Sequence, residues 1–458
     1  MMSFLGRVNY AYADRYLATV NFRADGSSRF AKSNRWGYFP SFSLGWRISS
    51  EPFFQKSSLA SWMDNLKLRA GWGQNGNQRI DAQAPLTLIA TDAEKKWWYG
   101  NGFTNGYVPS YQGNADIKWE TSEQTNIGLD VALLHNTLDM SFDYYIKKTR
   151  DMLLQNPVPS FGGYPNSPFV NAGDVRNNGF EFVANYHNHA GDFNYHASLN
   201  LSTYKTKVTR LTQDYLTGTV SRTYVGGPMG RFWGYKQIGI FQSQAEIDSY
   251  VDADGVKYQP NAHPGDFKFA KLGDGKGAIN DEEDRTFIGD PNPDLIYGFS
   301  LGFEWKGFDF SAAFQGTLGN DIYNAAKGTL SVPGTQNALA DALNKAWKHE
   351  EDTGAKWPRI TTNNDNNNWR VSSFMVEDGS YLRLQNLQVG YTLPMSLMGK
   401  LQYVKSARVY FSAQNLFTIT GYSGLDPDLG SASALNLGYD AVRYPSSRTF
   451  MFGVNLTF

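Results

Sequence analysis

The stretch "AEKKWWYGNGF" (93–103) sets Trp97, Trp98 and Tyr99 beside glycine and amide groups. Flat rings next to hydrogen-bond donors can stack on sugar faces and orient a saccharide. The same trio would also serve at a membrane boundary, where Trp and Tyr collect on any β-barrel. A second set lies in "RADGSSRFAKSNRWGYF" (23–39), a turn opened by Asp25–Gly26. Arg29 and Arg35, with Arg23 and Asp25, could contact a solute there, or could pair among themselves and fix the crown of the hairpin.

The segment "KLGDGKGAINDEED" (271–284) has the outline of a calcium loop, which needs oxygen ligands at fixed positions around a central glycine. Aligning Gly277 with that glycine puts Asp274 and Glu283 at ligand positions, but also Leu272 and Lys276. Leucine has no ligand oxygen and lysine brings the wrong charge, so Asp274 and Glu283 read as the remains of a site and no metal is expected. His187 and His189 face one side of a short turn without a third ligand. No G-x-S-x-G, H-E-x-x-H or P-loop pattern occurs, so neither catalysis nor a cofactor is expected. In "NALADALNKAWKHEED" (337–352), Leu339, Ala342, Leu343, Ala346 and Trp347 recur at helical spacing. They predict an amphipathic helix that packs on a rim or meets a partner.

The elements that must position these residues are strands. Aromatics make up 15% of the chain and 45 glycines accompany them, a mixture suited to strands and turns. A net charge of −1 excludes an electrostatic nucleic-acid binder. The absence of cysteine excludes disulfides and thiolate metal sites. No apolar run of about 18 residues occurs, which excludes a spanning helix but not a spanning β-barrel. In "YGFSLGFEWKG", Tyr297, Phe299, Leu301, Phe303 and Trp305 oppose Gly298, Ser300, Gly302 and Glu304. The strands "QTNIGLDVALL", "TLDMSFDYYIKK", "FDFSAAFQG" and the closing "RTFMFGVNLTF" alternate in the same way. Period two over about ten residues matches a tilted strand that crosses a bilayer.

Connections come in two sizes. Residues 12–15, 134–137, 187–192 and the Lys306–Gly307 junction are short, whereas 74–118, 323–379 and 420–446 are long. Short turns on one side and long loops on the other describe an outer-membrane barrel with its short side in the periplasm. Assigning directions from those loops gives 15 strands, two of them "FWGYKQIGIF" (232–241) and "GDFKFAKL" (265–272). An odd count beginning downward does not close a single-chain bacterial barrel, so the expectation is an all-β, antiparallel transmembrane β-barrel portion spanning 1–458. The opening "MMSFLGRVNY" has no leader pattern, so any export signal is expected to lie outside this chain.

Several segments carry a family resemblance. "VNFRADGSSRFAKSNRWGYFPSFSLGWRIS" (20–49), "NLKLRAGWGQNGN" (65–77), "RTFIGDPNPDLIYGFSLGFEWKGFDFSAAFQG" (285–316), "VEDGSYLRLQNLQVGYTLP" (376–394), "ARVYFSAQNLFTITGYSGLDPD" (407–428) and "YPSSRTFMFGVNLTF" resemble the SusC/RagA family of TonB-linked outer-membrane proteins, in order along the chain. The resemblance implies the C-terminal part, strands 8 to 22, of a 22-stranded barrel, with the N-terminal plug absent from this chain. It implies TonB-driven import of oligosaccharide across the outer membrane, or of peptide in the RagA manner. The implied partners are a SusD-like surface lipoprotein, the TonB complex, outer-membrane lipid and the barrel-assembly machinery. The final strand, with Phe450, Phe452, Val454, Leu456 and Phe458 on one face, resembles the signal such barrels present for assembly. The competing readings are a non-transporting outer-membrane enzyme or adhesin and a secreted glycan-binding β protein. The latter would leave rows of Phe, Leu and Trp in water at roughly 1.5–3 kcal/mol for each such side chain.

Overall fold

The structure is a computed structural model that describes residues 1–155, 166–330, 337–394, 396, 404–431 and 433–458. Of residues 90–97, 105, 108, 110 and 111 it describes the backbone alone. The chain forms two compact units: Met1–Asn188 with His196–Asp214 and Tyr224–Gly227, and His189–Tyr195 with Tyr215–Thr223 and Pro228–Phe458.

In the first unit the long strands are Met2–Tyr12, Tyr16–Gly26, Trp36–Arg47, Met63–Asn77, Glu120–Leu133, Leu138–Arg150, Gly173–Ala190 and Phe193–Leu211. Each lies beside the next in that order. The alternation read from the sequence becomes registered rows across them. Val8, Val20, Phe42 and Trp72 form one row, and Leu68, Leu129, Phe142 and Phe182 another. Val8, Val20, Phe42, Leu68 and Ile127 remain exposed, as a face turned to lipid requires. On the opposite face Arg69 bridges Asp130 (2.8 Å) and Asp143 (2.9 Å) across the Glu120–Leu133 strand. Gly128 lies under that bridge, where a Cβ would come within 2.4 Å of Asp143 Oδ1.

The second unit carries five long strands, Leu295–Trp305, Phe308–Leu318, Tyr381–Thr392, Ser406–Thr420 and Thr449–Thr457, antiparallel throughout. One apolar row crosses all five as Phe303, Phe310, Val389, Phe411 and Phe452. A polar row crosses them as Ser300, Ala313, Asn386, Gln414 and Thr449. Rings meet along the apolar row, with Phe303 and Phe310 stacked 5.2 Å apart and Phe411 and Phe452 tilted 5.0 Å apart. On the polar face Arg408 Nε donates to Asp309 at 2.8 Å, again over a glycine, Gly390. The Lys306–Gly307 turn has positive φ at both residues (46° and 89°), the two-residue geometry that matches strand twist.

Among the described residues, eight and five long strands make thirteen in place of the fifteen expected. The two that differ are 232–241 and 265–272. Phe232–Tyr235 pairs with Arg285–Gly289, and Gln237–Ile240 pairs with Phe267–Phe269, as separate two-stranded ribbons. Phe232, Tyr235, Phe241, Phe267 and Phe269 are all buried, so their alternation serves a small internal core and not lipid. The lost pair was one strand in each direction, which is why the remaining directions still alternate within each unit. The helix expected over 337–352 is also shorter, Ala340–Asn344. After it the chain turns back so that Ala346 bridges Trp357, and that pairing takes the residues a longer helix would have used.

Candidate functional site

At the end of the second unit away from its short turns, three connections build a folded layer over the strand ends. Its centre is aromatic: Phe374 lies 4.7 Å from Phe267 and 4.9 Å from Trp357, and Phe267 and Met375 are almost fully buried. Polar side chains are buried there too, most of them with partners; Ser372 Oγ is buried without one among the described residues. Asp266 receives Arg359 Nε at 2.8 Å and Asn368 Nδ2 at 2.9 Å, and Gln259 bonds the backbone at Phe267 and Phe269. Buried carboxylates and amides persist only when satisfied in this way. The last long connection is tied in by Tyr422, whose hydroxyl donates to Asp440 at 2.6 Å. Burial and that carboxylate both push the phenol's pKa up.

A cleft of about 550 Å³ opens in this layer. Gln237, Gly239 and Gln242 form one wall, Trp357 and Phe374 supply rings, and Lys327, Lys345, Lys356, Asp341 and Glu377 supply charge. Glu377 organises three segments: it accepts from Asn324 Nδ2 (3.1 Å) and from the backbone and hydroxyl of Ser423 (both 2.8 Å), and it faces Lys327 Nζ at 3.4 Å. Lys327 Nζ also donates to the Phe374 carbonyl at 2.7 Å and sits 4.3 Å over the Phe374 ring. Burial pushes the Lys327 pKa down, and Glu377 opposes the fall. A side chain at Gly239 would meet nothing within 4 Å, so the backbone there is open to an incoming molecule. Rings, amides, a bare backbone edge and paired charges together suit a hydroxyl-rich solute.

The residues singled out in the sequence lie elsewhere. Trp97 and Trp98 stand on the hairpin Leu88–Tyr99/Gly102–Tyr111 of the first unit. The Trp97 side chain lies outside the described residues, while Trp98 and Tyr99 are exposed and Trp98 meets Phe103 edge-on at 5.0 Å. Arg29 donates to the carbonyls of Gln78 (3.3 Å) and Ile80 (2.7 Å). The Arg35 carbonyl accepts from Trp119 Nε1 at 3.1 Å. Arg23 pairs with the buried Asp25 at 2.7 Å. In the calcium-like loop, Asp274 caps the backbone of Lys276 and Glu283 stands 3.8 Å from Lys271. The organising carboxylate is Asp284, which the sequence reading passed over. It is buried and accepts from the backbone of Leu272, Gly273 and Asn280 and from Lys271 Nζ at 3.0 Å. Phe450, Phe452, Val454, Leu456 and Phe458 share one exposed face of the last strand. The cleft residues were missed because they come from separate segments, and no spacing in the chain marks them.

Exposed apolar rows, an ion-paired polar face and a folded layer on long connections define a β-barrel protein of the outer membrane. A family model described as "TonB dependent receptor-like, beta-barrel" matches residues 3–273. The chain belongs to that family. It is 36% identical over 477 residues to TonB-dependent receptor P3 of Formosa agariphila, covering all of this chain and 45% of the relative. It is 30% identical over 487 residues to TonB-dependent receptor SusC of Bacteroides thetaiotaomicron, covering all of this chain and 44% of the relative. Among solved structures it is similar to the RagAB peptide transporter, with a TM-score of 0.80 at 26% identity over all of this chain and 47% of that one. The chain thus spans about half the length of the curated relatives it matches.

Proposed function

We propose that this chain forms the C-terminal part of the barrel of a SusC-type transporter that imports oligosaccharide across the outer membrane with energy from the TonB complex. A SusD-like surface lipoprotein covers its loop side. The observation that carries the substrate reading is the loop-end cleft, with Trp357 and Phe374 beside Gln237, Gln242 and the open backbone of Gly239. Relatives named as receptors, and a transporter among similar structures, favour import over an enzyme or adhesin. Peptide import is the second reading, favoured by the similarity to a peptide transporter.

The test is uptake of labelled oligosaccharides and labelled peptides by cells that express the full outer-membrane protein, with and without Gly239→Trp. Gly239 is not among the positive-φ glycines and a Cβ there meets nothing within 4 Å among the described residues, so a bulky side chain is expected to be tolerated and to crowd the cleft. Saccharide uptake that falls at least about tenfold, with the protein still in the outer membrane, supports the reading. Wild-type saccharide uptake by the variant removes the cleft from the path, and uptake of peptides alone replaces the substrate.

A further inference from the structure

The loop-end cleft holds more positive charge than its carboxylates match. Glu377 faces Lys327 at 3.4 Å and Asp341 faces Lys345 at 2.5 Å. Lys356, exposed on the same wall, has no carboxylate within 4.0 Å among the described residues. Its backbone N–H donates to the Lys345 carbonyl at 3.1 Å, which brings the two lysines onto neighbouring segments. Inside the layer burial pushes the Lys327 pKa down, Glu377 opposes the fall, and the smaller effects of Lys345 and Asp341 act in opposite directions.

An unmatched ammonium beside aromatic rings and an open backbone edge fits a polyol that carries an anionic substituent. Rings take the pyranose faces, and the three rotatable N–H donors of a lysine donate to the oxygens of either a carboxylate or a sulfate. We propose that the cleft selects oligosaccharides bearing a carboxylate or sulfate group, and that Lys356 is the specificity residue that reads the anion. This rests on the oligosaccharide reading above.

The experiment is calorimetric titration of the full outer-membrane protein in detergent with three probes. These are a uronic-acid trisaccharide, its carboxyl-reduced neutral counterpart, and that neutral trisaccharide carrying one sulfate ester. Peptides serve as a fourth arm. An anionic probe binds about fivefold or more tightly than the neutral one at low salt, and about 0.5 M salt narrows the gap. Lys356→Gln abolishes the gap, and Lys356→Arg retains it. A preference for the uronate or for the sulfate says which anion the site takes. Equal affinities in the wild type, or a preference that survives Lys356→Gln, overturn the proposal and leave the oligosaccharide reading standing. Binding of peptides and of no saccharide overturns both.

Discussion

The long strands of the second unit and the layer at their loop end are built from the same residue types by opposite rules. Along the strands, large side chains such as Phe303, Phe452 and Trp305 stand in registered rows on an uncovered face. In the layer, Phe267, Phe269 and Phe241 are fully buried around a satisfied polar network at Asp266. The strands rely on a solvent of lipid and the layer on a core of its own. Apolar alternation therefore says that a segment is a strand, but not what its apolar face will meet.

Substitutions can separate the two rules. The largest effect is expected from Asp266→Ala, which leaves Arg359 and Asn368 without their buried acceptor at a cost of about 3–5 kcal/mol. Limited proteolysis should open the layer, while the strand sheet keeps its heat-modifiable mobility on gels; loss of both would tie the layer to barrel integrity. Next, Phe303→Arg should cost about 2–4 kcal/mol by placing charge in lipid, and Ser300→Arg on the polar face much less. Quantifying each variant in the outer membrane decides this; equal assembly would mean there is no lipid-facing row, and a greater loss for Ser300→Arg would mean the faces are exchanged.

A smaller effect belongs to Gly390→Leu, whose side chain would press on Asp309 and Arg408 at about 2.5 Å. Prising that pair apart should cost about 1–3 kcal/mol and lower the unfolding temperature of the protein in detergent without affecting the layer. The smallest is a response to acid in loop 271–284. Burial resists ionisation of Asp284, but bonds from Asn280, Leu272, Gly273 and Lys271 outweigh it, and its pKa is lowered overall. A lowered folded pKa contributes stability that is present above about pH 4 and is lost as pH falls through the folded value. Hydrogen-exchange protection in 271–284, taken relative to the intrinsic rate at each pH, should fall at low pH in the wild type. Asp284→Asn should show quick exchange already at neutral pH and little further change.

Much of the strand framework was legible because period two is a local property. Lipid-facing and polar rows such as Phe299 and Ser300 can be read without knowing their neighbours. The errors fell where neighbours decide. Segment 232–241 reads as a spanning strand, and 265–272 is added because the count of strand directions requires one between 232–241 and 295–306, yet each pairs within the layer. Spacing over 337–352 promised a helix that the pairing of Ala346 with Trp357 cuts to Ala340–Asn344. Arg29, a candidate for solute contact, also holds the carbonyls of Gln78 and Ile80, which its spacing did not show.

By itself the sequence determined the strand-and-turn character, the facing of most long strands, and the chain's family, since these rest on composition, alternation and serial motifs. Tertiary structure alone decided the cleft. Gln237, Gly239, Lys327, Lys356, Trp357, Phe374 and Glu377 lie in separate stretches of the chain and converge only through the packing of several loop segments. A binding surface made by convergence has no period for a sequence to display.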